Sequence, residues 1–185
     1  MGRLGHDVVA AGDDAGSPGA DRRPIGLRQV DPGRRVVALA SDHGTPVRCV
    51  HLEDIYPGWD GLDAAAGIVV TDILRPLHAG DRATWQTYDW HATAPGPLLH
   101  ADAGSALIVE GTGALTRAGA ALATFTIWVE ADEEFRQSRA FARDGDIYRP
   151  HWQRWADQED EAAGPGGLAQ LADIIIDATT VKEAP

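Results

Sequence analysis

The sequence predicts an α/β fold with a mostly parallel sheet, and two observations carry that prediction. Short apolar runs of strand length alternate with stretches whose apolar residues recur at helical spacing. Several of the runs stop abruptly at a carboxylate or a glycine, as buried parallel strands do at their carboxyl ends.

Taken in order, residues 1–35 form an irregular, degenerate N-terminal segment. The stretch 12–32 is crowded with Gly, Asp, Pro and Arg and follows neither period. The ordered domain is expected over 36–185. Residues 46–52 are a β-rich run ending at the pair Glu53-Asp54. Residues 61–80 place Ile68, Val69, Ile73, Leu74 and Leu77 at helical spacing, with Pro76 marking a kink or an end. Residues 106–110 are a compact apolar strand closed by Glu110 and Gly111-Thr112-Gly113. An Ala-rich helix is expected over 115–123 and a buried strand over 124–129, the latter followed by Glu130 and Asp132. Residues 132–144 read as a charged helix, 151–161 as a second helix, and 172–177 as a last strand.

Composition narrows the function. Among 185 residues the formal charge is −12, with a pI near 4.8. Such a surface repels a nucleic-acid backbone and an anionic membrane, so neither is an expected partner. Cys49 is the sole cysteine, and the start shows no apolar leader. Both point to the cytoplasm. Lys182 is the only lysine, every other basic residue being arginine.

Three expected strands end in acids: Glu53/Asp54, Glu110 and Glu130/Asp132. In open parallel sheets that edge is where ligands bind. Carboxylates gathered there suit a magnesium site and a general base for a hydroxyl nucleophile. Any one acid alone is better read as strand-end solvation; the set is what shifts the balance.

Four segments resemble the uridine kinases, P-loop nucleoside kinases of the actinobacterial type in particular. Leu52-Glu53-Asp54-Ile55-Tyr56-Pro57-Gly58-Trp59-Asp60-Gly61-Leu62 is similar to the family's LDDLYPGWDGL and is the most specific. Tyr88-Asp89-Trp90 resembles its substrate-binding YDF/YDW motif, and Leu107-Ile108-Val109-Glu110-Gly111 its VxEG strand. Residues 135–144 resemble its arginine-bearing lid helix. The likeness spans about residues 46–177.

The resemblance implies a P-loop NTPase-like three-layer fold and ATP-dependent phosphoryl transfer, with Mg²⁺, to a hydroxyl of a nucleoside-like small molecule. It puts Glu53 in place of the family's aspartate base, a change that lengthens the carboxylate's reach by about a bond where positioning is most of catalysis. It implies that Asp54 helps hold Mg²⁺, that Glu110 acts on the metal through water, and that Tyr56, Tyr88, Asp89 and Trp90 bind the acceptor. Arg139 and Arg143, i and i+4 on one helical face, would close over the phosphates. A solvated helix laced to Asp132, Glu133 and Glu134 is the competing view of those arginines. Trp59, Trp90 and Trp152 could stack on a base, whereas Trp155 reads as core.

The family's phosphate loop, GxxxxGK[ST] between a strand and a helix, is missing. Without its lysine and hydroxyl the activity is expected to be impaired. Read one base later, codons allowed for 21–33 permit (Ile/Thr)-Asp-Gly-Arg-Ser-Gly-Ser-Gly-Lys-Ser-Thr-Leu. Residues 1 to about 35 are then a product of a shifted frame, with 36–40 the tail of a first helix. A less favoured alternative makes residues 8–12 a substitute first strand before a lysine-free anion loop, against the repulsion of Asp13, Asp14 and Asp21. Two further readings stand beside the kinase: a non-catalytic relative that binds a nucleoside or a partner, and, more weakly, another magnesium enzyme built on the same acids.

Overall fold

The computed structural model describes residues 10–12, 47–165 and 167–178, without the side chains of 10–12, 143 and 144. The degenerate stretch, the shifted-frame peptide and the expected helix tail at 36–40 lie outside these residues.

Five strands form a parallel sheet: β1 (Ala10–Gly12), β2 (Val47–His51), β5 (Ala106–Glu110), β6 (Ile127–Glu130) and β7 (Ile174–Asp177). Their order is β2-β5-β1-β6-β7. The central strand is therefore Ala10–Gly12, taken from the run that the sequence offered only as a substitute first strand. It pairs with β5 through Ala10–Val109 and Ala11–Glu110, and with β6 through Ala11–Ile127 and Gly12–Trp128. After β1 the chain crosses to β2 on one side; after β5 it crosses to β6 on the other. The strand order thus reverses between β1 and β5, the switch point at whose carboxyl edge ligands bind in open α/β sheets.

Period-two alternation sends the strand residues to opposite faces. Val50, Leu107 and Val109 enter the main core with Leu62, Val69, Ile73, Leu77, Trp85 and Trp155. Ile108, Ile127 and Val129 face the other way, packed with Val47, Cys49 and Ile176. Trp155 is 1% exposed, core as expected.

The helix expected over 61–80 is continuous but not uniform: α1 (Leu62–Ile68) passes through a π-helical segment, Val69–Leu74, into α2 (Arg75–Ala79). Pro76 cannot donate a helical hydrogen bond, and the widened turn ahead of it lets the helix run on. Gly80, at φ 84°, supplies the left-handed cap that ends it.

A two-stranded antiparallel hairpin, β3 (Ala83–Asp89) and β4 (Ala94–Ala101), stands apart from the main sheet and was not anticipated. It buries Ala83, Trp85 and Thr87 on alternate positions. The Ala-rich helix expected over 115–123 contracts to α3 (Arg117–Ala120), capped by Thr116 accepting from Gly119 N–H. Helices α4 (Glu133–Asp144) and α5 (Trp152–Ala163) follow β6, joined by 3₁₀ turns. Among the described residues, no helix is long and apolar enough to cross a membrane.

Candidate functional site

Two groups of side chains gather near the carboxyl ends of β2 and β5. The first stands on the strands themselves. Cys49 and His51, two apart, share one face of β2, and the register sets His51 directly beside Glu110. His51 Nδ1 contacts Glu110 Oε1, and Cys49 Sγ lies 3.9 Å from the same nitrogen. His51 and Glu110 are 30% and 19% exposed at their side chains. Hydrogen bonding to Cys49 and then to the Glu110 carboxylate raises the His51 pKa from its ordinary 6.5 to about 10, overcoming burial, which acts the other way. Glu110, at the end of β5 beside the switch point, is thus ion-paired to an imidazole, His51, to which the sequence pattern assigns no role.

Immediately after Glu110 the chain turns at Gly111, whose φ of 121° favours glycine. A Cβ there would also press to 3.1 Å on that of Leu52. The next residue, Thr112, is buried, and its Oγ1 has no hydrogen-bond partner among the described residues.

The second group is built from the segment 52–62, which leaves β2 through a 3₁₀ turn, Leu52–Asp54. Tyr56 points inward, 1% exposed, and donates to the Thr112 carbonyl at 2.7 Å. Burial first, then the charges of Glu110, Glu159 and Glu53, holds its pKa well above the usual value. Those acids therefore converge electrostatically on one phenol. Tyr56 thus joins two loops from below, and its hydroxyl is already committed to the backbone.

Trp59 is half-buried at the centre of an aromatic cluster. His151 stacks on it at 3.8 Å and 10°, Trp90 meets it edge-on at 5.4 Å, and Tyr148 lies 5.9 Å away. Tyr88 meets Trp90 edge-on at 5.2 Å. Trp90 Nε1 donates to the Glu53 carbonyl at 3.0 Å, tying the hairpin tip to the turn after β2. Asp89 is exposed, and its Oδ1 accepts from His91 and Ala92 N–H at 2.9 Å, organising the hairpin turn. From α5, Gln158 Nε2 donates to the Trp59 carbonyl at 2.9 Å, and Arg154 forms a two-pronged pair with Asp60. Neither residue was anticipated; a polar helix face opposite a Gly-rich loop was the available signal.

Of the helical arginines, Arg139 lies over its own Phe135 ring at 5.4 Å, four residues back. Arg136 rather than Arg139 makes the ion pair between helices, to Glu159 at 3.2 Å. The Arg143 side chain lies outside the described residues. Glu130 closes β6 beside Asp177 of β7, and Asp132 precedes α4, one strand farther from the switch point than Glu110.

No family model matches the sequence, and no curated protein matches it either. Solved structures do. A protein assigned as a uridine kinase from Bacillus stearothermophilus is similar over 96% of this chain and 91% of its own, at 14% identity and a TM-score of 0.58. The phosphoribulokinase of Rhodobacter spheroides is similar over 97% of this chain and 72% of its own, at 16% identity and 0.52. A protein assigned as a fructose transport system kinase from Silicibacter sp. TM1040 is similar over 92% and 89%, at 17% identity and 0.50. At these identities what is shared is architecture: the chain has an α/β fold with a parallel sheet, that of the P-loop kinases.

Proposed function

We propose that this chain is a kinase-type protein that keeps the acceptor half of a phosphotransferase and has an impaired donor half. A nucleoside-like small molecule would be held by the half-exposed rings Tyr88, Trp90 and Trp59, with its hydroxyl toward Glu53. Glu53 has the chemistry of the base that orients and polarises that hydroxyl, and Asp54 stands beside it. The observation that carries this reading is the hydrogen bond from Trp90 Nε1 to the Glu53 carbonyl, which fixes the backbone of the candidate base to the ring of the candidate binding motif. Tyr56 acts as a positioning residue below the loop, and Asp89 shapes the hairpin turn that presents Tyr88 and Trp90. Arg139, and Arg143 with it, would bring positive charge from α4 toward a transferred phosphoryl group.

ATP with Mg²⁺ is the donor pair that the resemblance implies, and among the described residues Glu110 does not fit the metal. Mg²⁺ takes oxygen ligands and keeps its own water, whereas Glu110 is paired with His51 and lies beside a thiol. The triphosphate needs a lysine in its loop, and the only lysine is Lys182. A cytoplasmic location belongs to the same proposal, supported by the single free cysteine.

Titration calorimetry with uridine and with ATP separately tests the reading. Saturable nucleoside binding with ATP binding weaker still is expected; ATP binding tighter than nucleoside binding would overturn it. Replacing 21–33 by the lysine-bearing shifted-frame peptide should then raise uridine phosphorylation above background. A variant that binds ATP but never phosphorylates a nucleoside counts against the acceptor assignment.

A further inference from the structure

We propose that Cys49, His51 and Glu110 form a binding site for a divalent transition-metal ion of the zinc class. One sulfur, one imidazole nitrogen and one carboxylate oxygen, from two adjacent strands, lie within 4.8 Å of one another. Alternation and register place them: Cys49 and His51 share a face of β2, and Glu110 is His51's neighbour on β5.

The dimensions suit tetrahedral coordination. Zinc bonds of about 2.0–2.3 Å to oxygen, nitrogen and sulfur imply donor-to-donor edges of roughly 3.3–3.7 Å. Cys49 Sγ and His51 Nδ1, at 3.9 Å, are already close to such an edge. The His51–Glu110 contact is tighter than an edge, so the Glu110 side chain must swing back to admit the ion between them. All three residues are half-buried. A metal could therefore shed most of its water and still keep an exchangeable fourth ligand, the arrangement of open three-ligand zinc sites. The donor set also selects the ion: thiolate and imidazole favour zinc and its neighbours over Mg²⁺ or Ca²⁺, which seek oxygen. The place suits a ligand too, since Glu110 ends the strand at the switch point. Binding would release two protons, one from the Cys49 thiol and one from the His51 ring, whose pairing with Glu110 the ion replaces.

Because Cys49 is the only cysteine, every thiol signal belongs to this site. Titrating the reduced full chain with Co²⁺ should give one equivalent of a tetrahedral complex with a thiolate-to-cobalt charge-transfer band, bleached by Zn²⁺. Cys49→Ser should abolish the band, and Glu110→Gln should weaken binding by more than about tenfold. No charge-transfer band at saturating Co²⁺, or Zn²⁺ affinity unchanged in both variants, would overturn the proposal and leave an ion pair only. A measurement needing no variant guards against misfolding. Zn²⁺ should slow alkylation of Cys49 by iodoacetamide by about tenfold or more, while millimolar Mg²⁺ should not. Equal alkylation rates with and without Zn²⁺ would also overturn it.

Discussion

Changing Tyr56 to Phe isolates one buried hydrogen bond at the heart of the site. The ring would stay, keeping its burial and its edge contact with Trp155 at 4.8 Å. Only the phenolic donor to the Thr112 carbonyl would go. A net hydrogen bond contributes about 1 kcal/mol, and stranding a buried acceptor costs about 1–3 kcal/mol. Tyr56→Phe should therefore cost about 1–2 kcal/mol in urea unfolding at pH 7, with an unchanged m-value. Tyr56→Ala should cost more, about 3–5 kcal/mol, through the cavity it opens. The pH dependence adds a second check. Burial, then the charges of Glu110, Glu159 and Glu53, holds the folded phenol's pKa well above the unfolded value of 10.0. The stabilisation is thus fully present below pH 10 and is lost as pH rises past the unfolded value, because the unfolded chain ionises first. The gap between wild type and Tyr56→Phe should stay flat from pH 6 to 9 and narrow above about pH 10. A cost below about 0.5 kcal/mol, ordinary for a surface change, or a gap that widens at high pH, would refute the reasoning.

Three further outcomes are expected. Thr93 sits in the hairpin turn at φ 51°, a region costly for a β-branched residue, so Thr93→Gly should raise stability by up to about 1 kcal/mol in thermal melts. Gly96→Ala would set a Cβ 2.6 Å from Thr87 Oγ1, which donates to the Pro97 carbonyl; a loss of about 1–3 kcal/mol should follow. In metal-free protein, NMR titration of the His51 ring should show protonation persisting to about pH 10. Its contribution to stability is fully present below pH 6.5 and is lost as pH rises from there to about 10. Glu110→Gln should lower the ring's pKa and flatten the melting temperature over the same range.

The strands legible in the sequence are those with a long apolar run and a marked end: 46–52 and 106–110 each contain an observed strand, and 124–129 overlaps one that runs on to Glu130. The hairpin is not legible because Pro95 and Pro97 disguise its return strand, although Ala83, Trp85 and Thr87 alternate cleanly. The central strand is short, and a residue run like Ala10-Ala11-Gly12 shows no period; only pairing on both sides makes it a strand. Glu110 stands out in the sequence because an apolar run ends on it. Its partners Cys49 and His51 do not, since the register of β2 against β5 is a tertiary fact. Gln158 and Arg154 were hidden for the same reason: their targets, Trp59 and Asp60, lie far away in sequence.

The order β2-β5-β1-β6-β7 also governs how the molecule can assemble. The innermost strand, at 10–12, is synthesised well before either of its neighbours, reached only at 106–110 and 127–130. During translation it must wait, edges unpaired, while most of the chain is made. Such long-range closure slows folding and prolongs exposure to wrong partners. The middle of the sheet cannot close until residues 127–130 have been made, and a ribosome-bound chain stalled before residue 127 should remain open to proteases there.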